Sequence, residues 1–203
     1  EIFLTILFAS ISWLILKISI PFFQRQFLDK PNKRSSHNKP IPSGGGIVFV
    51  IIAVISNIYY IYNSENIILY PILALPLALV GLVDDKININ SFVRYLVQIL
   101  TVFSIFTLNN KGFLEILLKN NINNYLTLFL ILAILLIGSA IINFINFMDG
   151  IDGLVSGCFI VILFSYGWIN DNELLALNGA LIGFLILNWH PAKVFMGDVG
   201  STY

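Results

Sequence analysis

Four polar side chains interrupt an apolar part of the sequence at intervals of three residues. They are the amides Asn143 and Asn146 and the carboxylates Asp149 and Asp152, in the segment N-F-I-N-F-M-D-G-I-D-G. Three-residue spacing puts successive side chains near one face of a helix. An Asp at the centre of a bilayer costs about 3 kcal/mol on insertion scales, so the segment predicts a site at a membrane surface. The alternative is a polar loop whose side chains cap helices.

A pair of adjacent carboxylates, Asp84 and Asp85, ends another apolar run. Such carboxylates repel each other unless they have a cation, a shared proton or full solvation. Neither acid stabilises a helix that ends there, because a negative charge opposes the dipole at a helix C-terminus. Arg94 and Gln98 lie four residues apart on the next predicted helix, where they either face the same cleft or anchor the helix at the interface. A solvated helix end is the alternative for the pair.

A third carboxylate segment is Gly197-Asp198-Val199-Gly200-Ser201, which places Asp198 in a glycine-flanked turn. Phe195 precedes it closely and offers a stacking surface. His190, before Pro191, is interpreted as a cap on the preceding helix rather than a catalytic group. The segment therefore contributes one carboxylate and one aromatic ring to a candidate site.

A basic loop precedes three consecutive glycines near the N-terminus. The loop runs over residues 29–43 and includes Lys39, and Gly44, Gly45 and Gly46 follow it. Glycines at a helix N-terminus let an anion approach unpaired N–H groups. One interpretation is a phosphate-binding loop. The other is a cationic anchor at the cytoplasmic face with a turn that starts a helix. Three consecutive glycines cost helix stability and suggest close packing or ligand approach, which favours the first interpretation.

These residue types favour one kind of chemistry. Clustered carboxylates without a cysteine or histidine set suit a hard cation, Mg²⁺, with Mn²⁺ as the alternative. Mg²⁺ is often held by one or two carboxylates together with substrate phosphates, and it stabilises charge in phosphoryl transfer. A phosphate substrate at a lipid interface is therefore the simplest prediction. The acids concerned are Asp84, Asp85, Asp149, Asp152 and Asp198.

The elements that position these residues are predicted to be membrane-spanning helices. Hydrophobic residues make up 58% of the 203 residues and charged residues 11%, against roughly 25% charged in soluble proteins. The apolar runs approach the length of about twenty residues that crosses a bilayer. We predict an all-α, polytopic transmembrane bundle forming a single integral-membrane domain over residues 1–203. Its spans cover about 2–23, 45–62, 67–83, 92–108, 124–142, 154–169 and 173–188.

The cations predict the orientation of these spans. Eight of the eleven Lys and Arg residues lie on or beside the face that carries the polar segments, and positive charge marks the cytoplasmic face. The net charge is zero, and no nucleic-acid partner is expected. The single cysteine, Cys158, excludes an internal disulfide. The prediction is a multi-pass protein of the plasma membrane with a cytoplasmic active site.

Four sequence blocks resemble a known family. In chain order, the blocks are D-x-P-N-x-R-x-x-H-x-x-P-x-P-x-x-G-G, G-L-V-D-D-K, N-F-I-N-F-M-D-G-I-D-G and V-F-M-G-D-V-G-S. Together they resemble the polyprenyl-phosphate N-acetylhexosamine-1-phosphate transferases. The resemblance covers nearly the whole chain. The first loop looks closer to the branch that initiates O-antigen and teichoic acid synthesis than to phospho-MurNAc-pentapeptide transferase.

The resemblance implies a reaction and a set of roles. A polyprenyl phosphate attacks the β-phosphorus of a UDP-amino sugar, giving a polyprenyl-diphospho-sugar and UMP, with Mg²⁺ required. Asp84 would engage or deprotonate the lipid phosphate, with Asp85 beside it as a second catalytic acid, and Asp198 would bind Mg²⁺ together with Asp149. Substrate-binding roles fall on Lys39, Asn143, Asn146, Asp149, Asp152 and Phe195, the last by stacking on uracil.

Two departures from the family pattern qualify this prediction. Some members carry a further Asp where this chain has Asn88, which therefore receives no catalytic role. The family has about ten or eleven spans and a later His-rich loop, so the sequence is expected to be a C-terminally truncated fragment that is inactive alone. The alternatives are the peptidoglycan branch, or a non-enzymatic membrane subunit or transporter. A homodimer is left open as a partner state.

Overall fold

The computed structural model describes residues 2–29, 31, 39–63, 69–109, 124–169 and 174–203. Helices dominate these residues, in agreement with the predicted all-α class. In chain order they are α1 (Ile2–Gln26), α2 (Gly46–Asn63), α3 (Tyr70–Leu73), α4 (Leu75–Ile87), α5 (Ser91–Ser104), α6 (Asn124–Met148), α7 (Leu154–Ile169), α8 (Leu175–Asn188) and α9 (Asp198–Ser201). A π-helical turn, Ile105–Asn109, continues α5.

Several helices have the length and composition of membrane spans. Among the described residues, four helical segments are long and apolar enough to cross a bilayer: Ile2–Gln26, Gly46–Asn63, Ser91–Leu108 and Asn124–Met148. Leu154–Gly167 and Leu175–Asn188 are shorter apolar helices. Large hydrophobic side chains on their outer faces are exposed, as expected for helices in contact with lipid. The protein is therefore a helical membrane bundle.

Two helices extend beyond the predicted spans, and both extensions carry candidate site residues. The third predicted span is divided into α3 and α4 at Ala74, with a proline in the first turn of each helix, a position that tolerates the missing N–H. Helix α4 runs to Ile87, so Asp84 and Asp85 occupy its last turns and not a loop. Helix α6 runs to Met148, so Asn143 and Asn146 are helical.

Helix α8 forms the centre of the bundle. Gly179 and Gly183 bring α1 into backbone contact with α8: a Cβ atom at Gly179 would lie 2.6 Å from the Thr5 carbonyl oxygen, and one at Gly183 would collide with the Ala9 carbonyl oxygen. The Ser12 hydroxyl donates a hydrogen bond to the Ala180 carbonyl oxygen at 2.8 Å. Small residues at a helix interface permit such close packing in membranes.

A short antiparallel pair of strands joins the ends of the first loop. Strands β1 (Leu28–Asp29) and β2 (Ile41–Pro42) pair with Leu28 opposite Pro42. Of the predicted basic loop, residues 30 and 32–38 lie outside the described residues. The strand pair leads directly into the glycines that begin α2.

Candidate active site

The carboxylates of Asp85 and Asp198 are linked through the backbone of α9. The two oxygens of Asp85 accept hydrogen bonds from the N–H groups of Asp198 (2.9 Å) and Val199 (3.2 Å). Helix α9 begins after Gly197, whose φ of 73° favours glycine and which has no side chain to cap the helix. Asp85 therefore caps α9 from another helix, which holds Asp198 next to the Asp pair.

Asp84 makes a second link between the same segments. Its carboxylate accepts hydrogen bonds from the Ile89 N–H and from Arg94 at 2.6 Å. It also hydrogen-bonds the side chain of Asp198, and Arg94 lies 3.8 Å from Asp198. Arg94 thus faces the cleft, as one of the two interpretations of this residue predicted.

These contacts give the acids of the site different proton affinities. Burial opposes ionisation of Asp84, but the hydrogen bonds from Asp198, Ile89 and Arg94 outweigh it, so the pKa of Asp84 lies below its ordinary value. Burial raises the pKa of Asp85 to about 6 against the two backbone hydrogen bonds. Burial, followed by the hydrogen bond to Asp84 and the charges of the pair, raises the pKa of Asp198 to about 7.

Asp149 joins this group from the end of α6. Burial raises its pKa well above the ordinary value, and the negative charges of Asp198 and Asp85 raise it further, while a hydrogen bond from the Gly197 N–H opposes the shift. The carboxylates of α4, α6 and α9 therefore lie within electrostatic reach of one another. Of the five acids that the sequence predicted to share a site, the structure thus brings together Asp84, Asp85, Asp149 and Asp198. Their catalytic and metal-binding roles remain predictions.

A hard divalent cation fits the donor set around Asp149 and Asp198. Their mutual repulsion disfavours two ionised carboxylates, and a cation between them would remove that cost. Within the described ranges, no three His, Cys, Asp or Glu side chains are arranged to hold a metal by themselves. Mg²⁺ is commonly completed by substrate phosphates and waters, which suits an arrangement of this kind.

Two of the three glycines at the start of α2, Gly45 and Gly46, serve close packing. The N–H groups of Gly45 and Gly46 donate to the carbonyl oxygens of Phe195 (3.0 Å) and Met196 (2.9 Å). A Cβ atom at Gly46 would lie 2.5 Å from the Gly200 Cα atom. The phosphate-binding interpretation is wrong for these two N–H groups, because backbone carbonyls already occupy them. The glycines instead let the chain before α9 lie against α2.

Gly81 has the same function on the other side of α9. A Cβ atom at Gly81 would collide with the Asp198 carbonyl group and lie 2.7 Å from the Val199 nitrogen. Helix α4 thus approaches α9 closely enough for Asp85 to reach its N–H groups. Close packing at Gly46 is one of the uses that the sequence suggested for these glycines, whereas Gly81 is a positioning feature that sequence reasoning missed.

The amides of α6 have protein partners. Asn143 and Gln98 of α5 exchange hydrogen bonds, from Asn143 Nδ2 to Gln98 Oε1 (2.7 Å) and from Gln98 Nε2 to Asn143 Oδ1 (3.2 Å). Asn146 Oδ1 accepts a hydrogen bond from the Ser201 hydroxyl at 2.8 Å. The predicted substrate contacts of both residues remain predictions, and for Asn143 such a contact requires the amide pair to open.

Asp152 holds the loop that leads to Asp198. Its Oδ2 atom lies 2.9 Å from His190 Nδ1 and accepts a hydrogen bond from the Ala192 N–H at 3.1 Å. Asn188 provides a parallel link: its Oδ1 atom accepts from the Gly153 N–H (3.0 Å), and its Nδ2 atom donates to the Val194 carbonyl oxygen (3.0 Å). Asn188 was not predicted, and a lone polar residue ending an apolar run was the signal available. The nucleotide-positioning role of Asp152 remains a prediction.

The two remaining predicted residues differ in exposure. Phe195 is 8% exposed, so stacking on a base requires its ring to become more accessible. Lys39 is exposed just before β2, where a nucleotide contact is sterically open. Both roles remain predictions.

Comparisons with known proteins identify the family of this chain. The model of glycosyl transferase family 4 matches residues 67–203. The chain is similar to a probable undecaprenyl-phosphate N-acetylglucosaminyl 1-phosphate transferase of Bacillus subtilis, with 28% identity over 87% of this chain and 52% of that protein. It is also similar to phospho-N-acetylmuramoyl-pentapeptide-transferases of Lactobacillus gasseri (30% identity, 79% of this chain, 57% of the relative) and Streptococcus pneumoniae CGSP14 (31% identity, 98% and 70%).

The chain spans about half the length of the Bacillus subtilis and Lactobacillus gasseri relatives. The family match includes the Asp pair, the Asn/Asp segment and the Asp198 turn, which are the segments that the structure brings together. The chain belongs to glycosyl transferase family 4.

Proposed function

We propose that the protein transfers an N-acetylhexosamine-1-phosphate group from a UDP-sugar to a polyprenyl phosphate and releases UMP. The observation that carries this proposal is the junction of α4, α5, α6 and α9, where Arg94 and buried carboxylates meet at the ends of apolar helices. The names of the relatives support it, since they describe enzymes that act on undecaprenyl phosphate or form a phospho-linked sugar product.

The reaction is a displacement at phosphorus. An oxygen of the lipid phosphate forms a bond to the β-phosphorus of the UDP-sugar. The bond from that phosphorus to the oxygen bridging the two phosphates breaks, and this oxygen leaves with UMP. Positioning and neutralisation of charge supply most of the rate enhancement in such transfers.

The residues of the site divide these tasks. Asp84 stays ionised because its pKa lies below the ordinary value, and it holds the Arg94 guanidinium toward the cleft, where it meets a phosphate group. Asp85 orients Asp198 through α9. Asp198 and Asp149 would hold Mg²⁺, which when bound supplies positive charge to the phosphates. A carboxylate with a lowered pKa is a weak base, so we favour positioning over deprotonation as the role of Asp84.

The sugar is proposed to be N-acetylglucosamine or a related deoxy-amino sugar, and the product to initiate a cell-envelope polysaccharide such as O-antigen. MurNAc-pentapeptide phosphate is the second candidate, supported by relatives of similar identity.

Full-length protein in detergent with undecaprenyl phosphate should be offered UDP-GlcNAc, UDP-deoxy-amino sugars and UDP-MurNAc-pentapeptide in separate reactions. A lipid-linked product from the first two donors supports the proposal; product from the third alone selects the second candidate. Failure with all three contradicts the transferase function.

The site is proposed to face the cytoplasm of a bacterial cell. The described cations Lys39, Lys86 and Lys193 lie on exposed positions near the site, and positive charge marks that side. In a Cys158→Ser background, cysteines at Asn88 and Lys193 should react with an impermeant reagent only in inverted vesicles. A cysteine at Asn63, at the far end of α2, should react in intact cells. The reverse pattern would contradict the orientation.

A further inference from the structure

The amide pair of Gln98 and Asn143 lies within two membrane-spanning helices. Gln98 is 4% exposed and Ser139, one turn before Asn143, is 5% exposed. The Ser139 hydroxyl donates a second hydrogen bond to Gln98 Oε1, at 2.8 Å. Buried polar groups need hydrogen-bond partners, and here the partners are side chains of α5 and α6. The pair therefore links α5 to α6 through side-chain hydrogen bonds.

Each member of the pair lies one turn from a residue of the candidate active site. On α5, Arg94 precedes Gln98 by four residues and pairs with Asp84 of α4. On α6, Asn146 follows Asn143 by three residues and accepts the hydrogen bond from Ser201 of α9. Residues at these spacings lie on one helix face.

These contacts connect α4, α9, α6 and α5 in a closed ring. Asp85 of α4 accepts a hydrogen bond from the Asp198 N–H of α9, α9 reaches α6 through Ser201, and α4 reaches α5 through the Asp84–Arg94 ion pair. The amide pair supplies the connection between α5 and α6. Any change in the separation of these two helices would move Arg94 relative to the segments that carry the carboxylates.

We infer that Gln98 is a positioning residue, which through Asn143 sets the separation of Arg94 from Asn146 and from the carboxylates held by α9. The inference rests on the proposed function and deepens it, because it assigns the geometry of the phosphate-facing cation to a contact within the membrane. Gln98 itself touches no substrate. A displacement of about 1 Å in a transferase site costs on the order of 10²-fold in rate.

Turnover of the full-length protein tests the chemical consequence. Gln98→Leu removes the amide while keeping a similar side-chain volume, and turnover per folded molecule should fall on the order of 10²-fold. Gln98→Asn shortens the reach and should also lower turnover. The double variant Gln98→Asn/Asn143→Gln again pairs one long and one short amide side chain, and its turnover should recover most of the loss. Ser104→Ala, which removes a hydrogen bond made within α5, is the matched control and should leave turnover unchanged.

A distance measurement tests the same inference without enzyme activity. Spin labels at Leu100 on α5 and Ile137 on α6, which are 54% and 60% exposed, should give a narrow distance distribution in a Cys158→Ser background. The distribution should widen or shift in Gln98→Leu and Gln98→Asn and return in the double variant. An unchanged distribution, or full turnover per folded Gln98→Leu molecule, would overturn the inference. Absence of turnover in the unmodified protein, with the distance changes present, would instead contradict the proposed function.

Discussion

The carboxylate of Asp85 holds the backbone of Asp198, a residue 113 positions later in the chain. The contact, together with that to the Val199 N–H, places an acid of α4 at the beginning of α9, where Gly197 provides no cap. A carboxylate at a helix N-terminus is electrostatically favourable. The second acid of the pair, Asp85, therefore caps another helix and determines where Asp198 lies.

Asp85→Asn should weaken this cap, because an amide offers one acceptor and presents an N–H₂ group to the other N–H. We expect a loss of about 1–3 kcal/mol in the free energy of unfolding and a higher Mg²⁺ requirement for activity, since Asp198 is no longer held in place. Thermal unfolding and a Mg²⁺ titration measure the two effects. Lys86→Gln, which changes an exposed neighbouring charge, is the control. Unaltered stability and Mg²⁺ dependence in Asp85→Asn would refute the cap.

Asp84→Asn should abolish most of the transfer while the protein still inserts and folds. The substitution removes the charge that holds Arg94 at 2.6 Å, and loss of one charged group at a reacting centre costs on the order of 10²-fold or more. Formation of polyprenyl-diphospho-sugar by purified full-length protein provides the measurement. Near-normal turnover would return the Asp pair to the interpretation of a solvated helix end.

The fold could be predicted from sequence because a bilayer demands long apolar segments, and these are visible without knowledge of tertiary contacts. The helix ends could not. Asn143 and Asn146 remain helical because distant residues satisfy their side chains. Gln98, 45 residues from Asn143, accepts a hydrogen bond from its amide, and the Ser201 hydroxyl, 55 residues from Asn146, donates one to its amide oxygen. The predicted span ends at residue 142, before both amides.

The membership of the site was also predictable, but the work of individual residues was not. Asp84, Asp85, Asp149 and Asp198 were recognisable as acids at the ends of predicted spans. The cap formed by Asp85 and the contact of Gly46 with Gly200 depend on the approach of segments more than 100 residues apart. No local pattern distinguishes a glycine that admits a ligand from one that admits another backbone.

Glycine substitutions test this packing. Gly46→Ala and Gly81→Ala place a Cβ atom against the backbone of α9, so each should destabilise the protein by about 1–3 kcal/mol and lower activity. A Cβ atom at Gly150 or Gly157 would have no neighbour within 4 Å, and Gly157→Ala in α7 should be neutral or stabilising by about 0.5–1 kcal/mol. Thermal unfolding of these variants in one detergent provides the comparison. Equal stability of Gly46→Ala and Gly157→Ala would contradict the close approach of α2 and α9.

Stability without metal should depend on pH in a direction set by the raised pKa values. The pKa values of Asp85 and Asp198 rise from 3.8 to about 6 and about 7. A carboxyl group that binds its proton more tightly in the folded state favours folding below its unfolded pKa, and that contribution is lost as the pH rises through the folded pKa. With a chelator present, the unfolding temperature should therefore fall as the pH rises from about 4 to about 7.

Mg²⁺ should reduce this fall, because a bound cation favours the ionised carboxylates. Asp198→Asn should flatten the profile in the chelator by removing one titrating group. A rise in unfolding temperature over the same pH range, or a slope that Asp198→Asn leaves unaltered, would contradict the assignment of these acids.

The most direct test of the proposed chemistry is to follow the β-phosphorus of the UDP-sugar into the products. Full-length protein is incubated with undecaprenyl phosphate, Mg²⁺ and UDP-GlcNAc labelled with ³²P at the β-position, and the lipid and aqueous phases are separated. We expect label in the lipid product and unlabelled UMP in water, with both lost in Asp84→Asn. Labelled UDP in the aqueous phase together with an unlabelled lipid-linked sugar would mean transfer of the sugar alone, and would contradict phosphoryl transfer at this site.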